Sequence, residues 1–185
     1  MRKFMFGSAL GLSIVAGSMA VAMPASATLW RNYASNGKTP LFLTIPNNLN
    51  KGQPATLQVQ NNLTSQSWQL VLDKTRPGGF SFISFLHPPP PNINLILGVS
   101  AGIMSPGRPV IDWVPQPDAN QSWTDTGTTL FDDHSAPCIA FLNEATPPGH
   151  NYVMSVSGSA VPNAPIVIRD FDGGADQYWC RYESI

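Results

Sequence analysis

The sequence predicts an all-β fold built from three repeats of four strands each. A Gln-x-Trp motif with a polar residue before the Gln occurs three times, and its tryptophans, 55 and 56 residues apart, are Trp68, Trp123 and Trp179. A proline stands 14 residues before each of them, at Pro54, Pro109 and Pro165. The period is too long for a leucine-rich or tetratricopeptide repeat, and no helical pattern fills it. Twelve strands in three equal units favour a closed barrel, which removes exposed sheet edges.

Each unit carries four short apolar or β-branched stretches separated by turn residues. In the first unit the predicted strands are 29–33, 41–45, 55–59 and 68–72. In the second they are 80–86, 95–99, 110–114 and 123–126, and in the third 138–142, 152–156, 166–171 and 179–182. The unit boundaries are expected at about 28–77, 78–133 and 134–185, within one domain covering 28–185.

The composition excludes several classes of protein. Only 11% of the 185 residues are charged, against about 25% in an average protein. Ten basic and eleven acidic residues give a net charge of −1, so no basic excess exists to neutralise nucleic-acid phosphates or to bind an anionic membrane surface. The 18 aromatic residues can fill a core, which argues against disorder, and the 15 Gly and 18 Pro indicate many turns.

Residues 1–27 are typical of a secretory signal peptide. Arg2 and Lys3 supply the positive start, an uncharged stretch follows over 9–22, and Ala25-Ser26-Ala27 matches a cleavage site. A membrane anchor is the alternative, but it needs about 20 apolar residues and this run has about 14. Cleavage after Ala27 removes two of the ten basic residues, leaving eight against eleven acidic ones, a net charge of −3. We therefore expect a secreted protein without a membrane span.

Two cysteines remain in the exported chain, Cys138 and Cys180. An oxidising compartment favours a single disulfide between them, with two buried free thiols as the alternative. Two cysteines outside a C-x-x-C pair do not make a zinc site.

The three Q-x-W motifs resemble those of the ricin B-type β-trefoil lectins, and the resemblance covers essentially the whole exported chain. It implies a β-trefoil in which Trp68, Trp123 and Trp179 pack in the core and touch no ligand. It also makes Cys138 and Cys180 neighbours, because they fall in the first and last strands of the third unit. The bridge common in the family links the second strand to the third, so this pairing departs from it.

The resemblance implies a recipe for a sugar site in each unit: an Asp ending the second strand, an aromatic residue on the third, and an Asn before the motif Gln. An aromatic face covers the apolar face of a sugar ring, and polar groups meet its hydroxyls. In the second unit Trp113, Asn120 and Gln121 match, whereas the Asp position falls at Gly98 or Val99. Asp112 should point to the opposite face from Trp113, since side chains alternate along a strand. Asp118 is therefore the replacement carboxylate.

The other two units match the recipe less well. The first has Thr44 at the Asp position, Gln58 at the aromatic position and Gln66 in the motif. In the third unit the corresponding residues, together with the one before the motif Gln, are Ser155, Arg169, Asp176 and Gln177. Both are weaker candidate sites, and the alternative is that these units are kept only for folding. We expect Arg169 to pair with a nearby Asp at the surface.

No other pattern predicts catalysis or a cofactor. Asp132-Asp133-His134 is the one acidic cluster beside a His, and no second ligand follows at a metal-binding spacing. The chain shows no nucleophile elbow and no phosphate-binding glycine motif. The predicted function is non-catalytic carbohydrate binding through the second unit, with a glycoconjugate as partner and no metal or cofactor. The alternative is a protein-interaction or toxin-accessory subunit with degenerate sugar sites, and a protein partner or a homo-oligomer fits either function.

Overall fold

The computed structural model describes residues 28–35, 37–46, 51–61, 64–84 and 95–183. These residues form twelve strands and five short 3₁₀ turns, and no α-helix occurs among them. The strands of the first unit are β1 (Thr28–Asn32), β2 (Leu41–Thr44), β3 (Thr56–Val59) and β4 (Trp68–Leu72). Those of the second are β5 (Phe80–Ser84), β6 (Ile96–Val99), β7 (Val110–Trp113) and β8 (Trp123–Phe131). Those of the third are β9 (Pro137–Asn143), β10 (Tyr152–Val156), β11 (Ile166–Asp170) and β12 (Trp179–Glu183).

Six of these strands close into an antiparallel barrel. Strand β1 pairs with β4, β4 with β5, β5 with β8, β8 with β9 and β9 with β12, and β12 returns to β1. Closure leaves the barrel strands without an open edge, as the repeat predicts. The fold class is therefore the predicted one, an all-β protein with three units of four strands.

The other six strands form three hairpins, β2–β3, β6–β7 and β10–β11, which meet one another at one end of the barrel. The three prolines in register with the motifs make these contacts. They form cyclic bridges between hairpins: Pro54 with Ile111, Pro109 with Val167, and Pro165 with Thr56. Each proline therefore stands opposite the residue two places after the proline of another unit. The three hairpins are held together by equivalent backbone contacts, which explains the regular spacing of the prolines.

The barrel core is aromatic. Trp68, Trp123 and Trp179 are completely buried, as predicted. Each indole N–H donates a hydrogen bond to a backbone oxygen of the second strand of its own unit, those of Leu43, Leu97 and Met154. Burying Trp is favourable only when its N–H finds a partner, and here the backbone supplies it. Residues from β1, β5 and β9 fill the space between the tryptophans with edge-to-face rings: Trp30, Phe82 and Phe141.

Cys138 and Cys180 form a disulfide, which confirms the predicted bridge. They face each other across β9 and β12, in register beside the pair Trp179 and Ile139. The bridge thus joins the first and last strands of the third unit, where the barrel closes. Both cysteines are fully buried.

One strand is longer than the sequence predicts. Strand β8 does not end at residue 126 but continues to Phe131, pairing with β9 over almost its whole length. The register shifts between Asp125 and Thr129, where Gly127 adopts a φ of 75° and donates its N–H to Asp125 Oδ1. The polar residues of this segment read as a loop because the strand is mostly exposed there. The other described strands agree with prediction to within about two residues at their ends.

The predicted signal peptide, residues 1–27, lies outside the described residues, as does the end of the predicted strand 80–86. In the part of the chain that is described, no helix has the length and hydrophobicity to cross a lipid bilayer.

Candidate functional site

A cavity of about 540 Å³ lies in the second unit, against the end of β6 and the outer part of β7. All five residues predicted for the main sugar site line it: Gly98, Trp113, Asp118, Asn120 and Gln121. They come from β6, from β7, and from Asp118 and the 3₁₀ turn Ala119–Gln121 that follows it before β8. The wall is completed by the turn Ser100–Gly102, by Gln116, and by Gly52 of the first unit.

The register of the tryptophan hydrogen bonds settles which residue of β6 occupies the expected Asp position. Leu43, Leu97 and Met154 are equivalent, so the residues that follow them, Thr44, Gly98 and Ser155, are equivalent too. The position is therefore Gly98 and not Val99. A Cβ atom on Gly98 would lie 2.7 Å from Gln121 Cγ and 3.3 Å from the backbone oxygen of Asn120. No side chain larger than hydrogen fits there without moving the turn before β8.

Trp113 is half-buried in the cavity wall and is positioned by a contact between units. The N–H of Gly52 donates to the backbone oxygen of Asp112, and the N–H of Gln53 donates to Asp112 Oδ1 at 2.6 Å. Asp112 is fully buried and points away from the cavity side of β7, as the strand alternation predicts. Gly52, with a φ of +84°, lies against the indole: a Cβ atom on it would stand 3.0 Å from Trp113 Cζ3. The same loop carries Lys51, whose Nζ lies 4.9 Å from the centre of the indole.

The side chains of Asn120 and Gln121 also bond the surrounding backbone, a role that the recipe does not include. The side-chain amide of Gln121 donates to Val114 O at 2.9 Å and accepts the N–H of Gln116 at 2.6 Å. Asn120 donates its Nδ2 to the backbone oxygen of Val99 at 3.1 Å, and its Oδ1 is buried. Gln121 therefore holds the loop between β7 and Asp118, and Asn120 holds the turn before β8 against β6. Asp118 is the exposed carboxylate of the cavity wall.

The candidate residues of the first unit are hydrogen-bonded to the protein itself. Gln66 Nε2 donates to Thr44 Oγ1 and to the backbone oxygen of Val59, and its Oε1 accepts the N–H of Asn61. Thr44 is buried and donates its own hydroxyl to Phe42 O. Gln58 donates to Asn163 of the third unit at 2.7 Å. The polar groups of these three weaker candidates are thus hydrogen-bonded within the protein.

The third unit is occupied by its own side chains in a similar way. Asp176 Oδ2 accepts hydrogen bonds from Ser155 Oγ at 2.7 Å and from Arg169 Nη1 at 3.0 Å. Arg169 also contacts Asp172 at 3.4 Å, so the predicted pairing of this arginine with nearby Asp residues is present. Gln177 donates to Asp170 O and accepts two backbone N–H groups, from Asp172 and Gly173. An internal ion pair stands where the recipe places a sugar.

The Asp132–His134 segment is organised around Arg31 of β1. Arg31 Nη2 contacts Asp132 Oδ2 at 2.5 Å and Asp133 Oδ1 at 2.8 Å, and the Arg31–Asp132 pair is almost completely buried. The hydrogen bond from Arg31 lowers the pKa of Asp133, a shift that the desolvation of this carboxyl opposes and that its contact with His134 reinforces. Both carboxylates are thus engaged by the same arginine. They anchor the loop after β8 to β1.

Sequence reasoning missed the contribution of the first unit to the cavity. Gly52 and Lys51 reach Trp113 from the loop before β3, although they are more than sixty positions from it in the chain. The family recipe draws each site from a single unit. The bridge between Pro54 and Ile111 and the hydrogen bonds from Gly52 and Gln53 to Asp112 place that loop on β7.

Comparison with solved structures identifies the fold. A designed threefold-symmetric protein, ThreeFoil, superimposes with a TM-score of 0.67 at 16% identity, over 85% of this chain and 99% of that one. A ricin B-like lectin from Macrolepiota procera, solved in complex with lactose, gives a TM-score of 0.58 at 15% identity, over 88% and 99% of the two chains. The chain therefore has the β-trefoil fold.

Some neighbours are much longer proteins. An exo-β-1,3-galactanase from Clostridium thermocellum superimposes with a TM-score of 0.71 at 16% identity over 88% of this chain, which spans 31% of that enzyme. No protein-family model matches the sequence, and no curated protein matches it. The similarity is therefore one of fold.

Proposed function

We propose that this protein is a secreted, non-catalytic carbohydrate-binding protein whose sugar site is the cavity of the second unit. The observation that supports this most directly is the convergence of the five predicted residues, led by Trp113, around one cavity. Its volume of about 540 Å³ falls within the range of roughly 300–1,000 Å³ common for small-ligand sites. Among solved β-trefoils of similar fold, the Macrolepiota procera lectin was crystallised with lactose and an earthworm lectin with GalNAc.

In this proposal Trp113 packs on the apolar face of a sugar ring and Asp118 accepts hydrogen bonds from its hydroxyls. Asn120 and Gln121 shape the wall and hold the backbone on either side of Asp118, with direct contact limited by their bonds to the backbone. Gly98 lines the cavity with its backbone alone. A half-open site of this kind binds a single sugar weakly, at about millimolar Kd or roughly −4 kcal/mol, so useful binding needs several copies presented together.

The lining of the cavity supports binding over catalysis. Its one carboxylate is Asp118, whereas hydrolysis of a glycosidic bond ordinarily uses two. The signal-like residues 1–27, with cleavage after Ala27, and the disulfide of Cys138 and Cys180 support export to an oxidising compartment, where 28–185 forms one domain of three units. This leaves a glycoconjugate as the natural partner.

A glycan array of the purified protein, presented multivalently, tests the proposal. We expect a reproducible set of bound glycans that is lost in Trp113→Ala. Phe131→Ala is the matched control, because Phe131 is an aromatic residue exposed to 64% in β8 that lines no part of the cavity. It should bind as the parent does. A blank array from folded protein would overturn the proposal and favour the protein-interaction alternative, and so would binding that survives Trp113→Ala.

A further inference from the structure

We propose that the cavity selects an acidic sugar, one with a carboxylate or a sulfate ester, and that Lys51 is the residue that determines this specificity. The inference rests on the proposed function, since it takes the same cavity as the sugar site. Lys51 belongs to the first unit, whereas the family recipe draws the site of the second unit from that unit alone, and its sequence context carries no ligand-binding pattern.

Lys51 lies beside the indole of Trp113. Its Nζ lies 4.9 Å from the centre of the Trp113 indole, within the distance of a cation–π contact. The residue is exposed, and the next residue, Gly52, is part of the cavity wall. Two backbone hydrogen bonds to Asp112, from Gly52 and Gln53, fix the loop on β7. The base of the Lys51 side chain is therefore anchored at the cavity, beside the aromatic ring on which a sugar would pack.

The charges around Lys51 also support the proposal. Of the charged residues that the structure describes, none forms an ion pair with Lys51 at 4.0 Å or less. Its ammonium group contacts the Trp113 indole instead. By contrast, Arg31, Arg76 and Arg169 each contact two carboxylates. The ammonium at the cavity thus remains available to an anion.

A sugar that packs on Trp113 would change the partner of the Lys51 ammonium group. A neutral ring that packs on Trp113 displaces the ammonium from the indole and offers it no equivalent partner. An acidic sugar offers an anion in exchange, and the flexible four-carbon stem of lysine lets the ammonium follow that group. Asp118, on the same wall, disfavours an anion next to itself. The acidic group is therefore expected on the Lys51 side, with the ring hydroxyls toward Asp118.

Matched glycan pairs test this inference. Each acidic glycan, either uronic acid-terminated or sulfated, is compared by titration calorimetry with its carboxyl-reduced or desulfated form, using the purified protein. We expect at least one acidic member to bind about fivefold more tightly than its neutral form at low salt, with the ratio falling as salt is added. The two kinds of pair show separately whether a carboxylate or a sulfate is the preferred group.

Variants then assign the preference to a residue. Lys51→Met, which keeps a long unbranched side chain, should bind the acidic and neutral members equally, whereas Lys51→Arg should retain the preference. Lys38→Met is the control, because Lys38 is an exposed lysine of the first unit whose chain neighbours, unlike Gly52 beside Lys51, line no part of the cavity. It should behave as the parent protein does.

The possible failures are distinguishable. If both members of every pair bind equally and Trp113→Ala abolishes both, the acidic-sugar inference is overturned and the proposed function stands. A preference that survives Lys51→Met also overturns the inference. If no member of any pair binds to folded protein, the proposed function fails together with it.

Discussion

Gly98 packs directly beneath Gln121, so that a Cβ atom at position 98 would lie 2.7 Å from Gln121 Cγ. At the equivalent positions of the other units, Thr44 accepts a hydrogen bond from the motif Gln and Ser155 donates one to Asp176. Those side chains bond within their own units, whereas Gly98 has no side chain and the cavity of the second unit lies beside its backbone. The second unit thus departs from the family recipe at position 98 and still contains a cavity.

The contact between Gly98 and Gln121 predicts the cost of adding one carbon. Gly98→Ala should lower the free energy of unfolding by about 1–3 kcal/mol, because the methyl group forces the turn before β8 to move. Urea unfolding followed by tryptophan fluorescence measures it. In a double-mutant cycle, adding Gln121→Ala should reduce the cost of Gly98→Ala, since it removes the atom in closest contact. Strictly additive losses would show that this contact is unimportant.

The motif glutamines are predicted to stabilise the fold. Gln177 is fully buried and bonds three backbone groups, those of Asp170, Asp172 and Gly173. Gln177→Ala should therefore cost about 2 kcal/mol of unfolding free energy, measured by chemical denaturation. Gln69→Ala, in strand β4, is the control and should change stability by less than about 0.5 kcal/mol. Equal effects of the two substitutions would contradict this role.

The disulfide between Cys138 and Cys180 closes a loop with a sequence separation of 42. Chain entropy predicts a stabilisation of about 4 kcal/mol for a loop of this size, with about 2–4 kcal/mol usual in practice. The double variant Cys138→Ala/Cys180→Ala should lose that amount in denaturant titrations. The parent protein should resist added dithiothreitol while folded, because both sulfurs are buried. Rapid reduction under native conditions would contradict the buried position.

The buried pair of Arg31 and Asp132 predicts an asymmetric response to substitution. Asp132→Ala should cost about 3–5 kcal/mol, since it leaves the arginine buried without this partner. Arg31→Met/Asp132→Leu, which removes both charges, should recover much of the loss. Asp133→Ala is the control at an exposed carboxylate of the same arginine and should cost much less stability. A double variant less stable than Asp132→Ala would argue against a simple charge effect.

Asp133 predicts a pH dependence. The hydrogen bond from Arg31 lowers its pKa in the folded protein below the ordinary value of 3.8. A lowered carboxyl pKa contributes stability that is fully present above the unfolded-state value and is lost as the pH falls through the folded-state pKa. Unfolding free energies measured between pH 6 and about pH 2 should therefore decline in the acid range. Asp133→Asn should decline less steeply, and a slope unchanged by this substitution would exclude Asp133 as a contributor.

Much of the architecture can be predicted because it is encoded by local, repeated signals. Each buried Trp, with its proline 14 residues earlier, marks a unit, and these positions recur because three hairpins contact one another by the same cyclic bridges. The pairing of Cys138 with Cys180 follows once the strands are in trefoil order. The length of β8 could not be predicted, because its outer half is polar and exposed and lacks the alternation that indicates a strand.

The sequence by itself determined the three-unit barrel, its tryptophan core, the disulfide and the group of residues around Trp113. Only the tertiary structure decided that Gly98 packs against Gln121, that Arg169 and Asp176 occupy the third unit, and that Lys51 reaches Trp113. The physical reason is the range of the interactions. A strand or a repeat is specified by neighbours along the chain, whereas the fate of each candidate site depends on which side chains from distant segments compete for the same space and the same hydrogen-bonding groups.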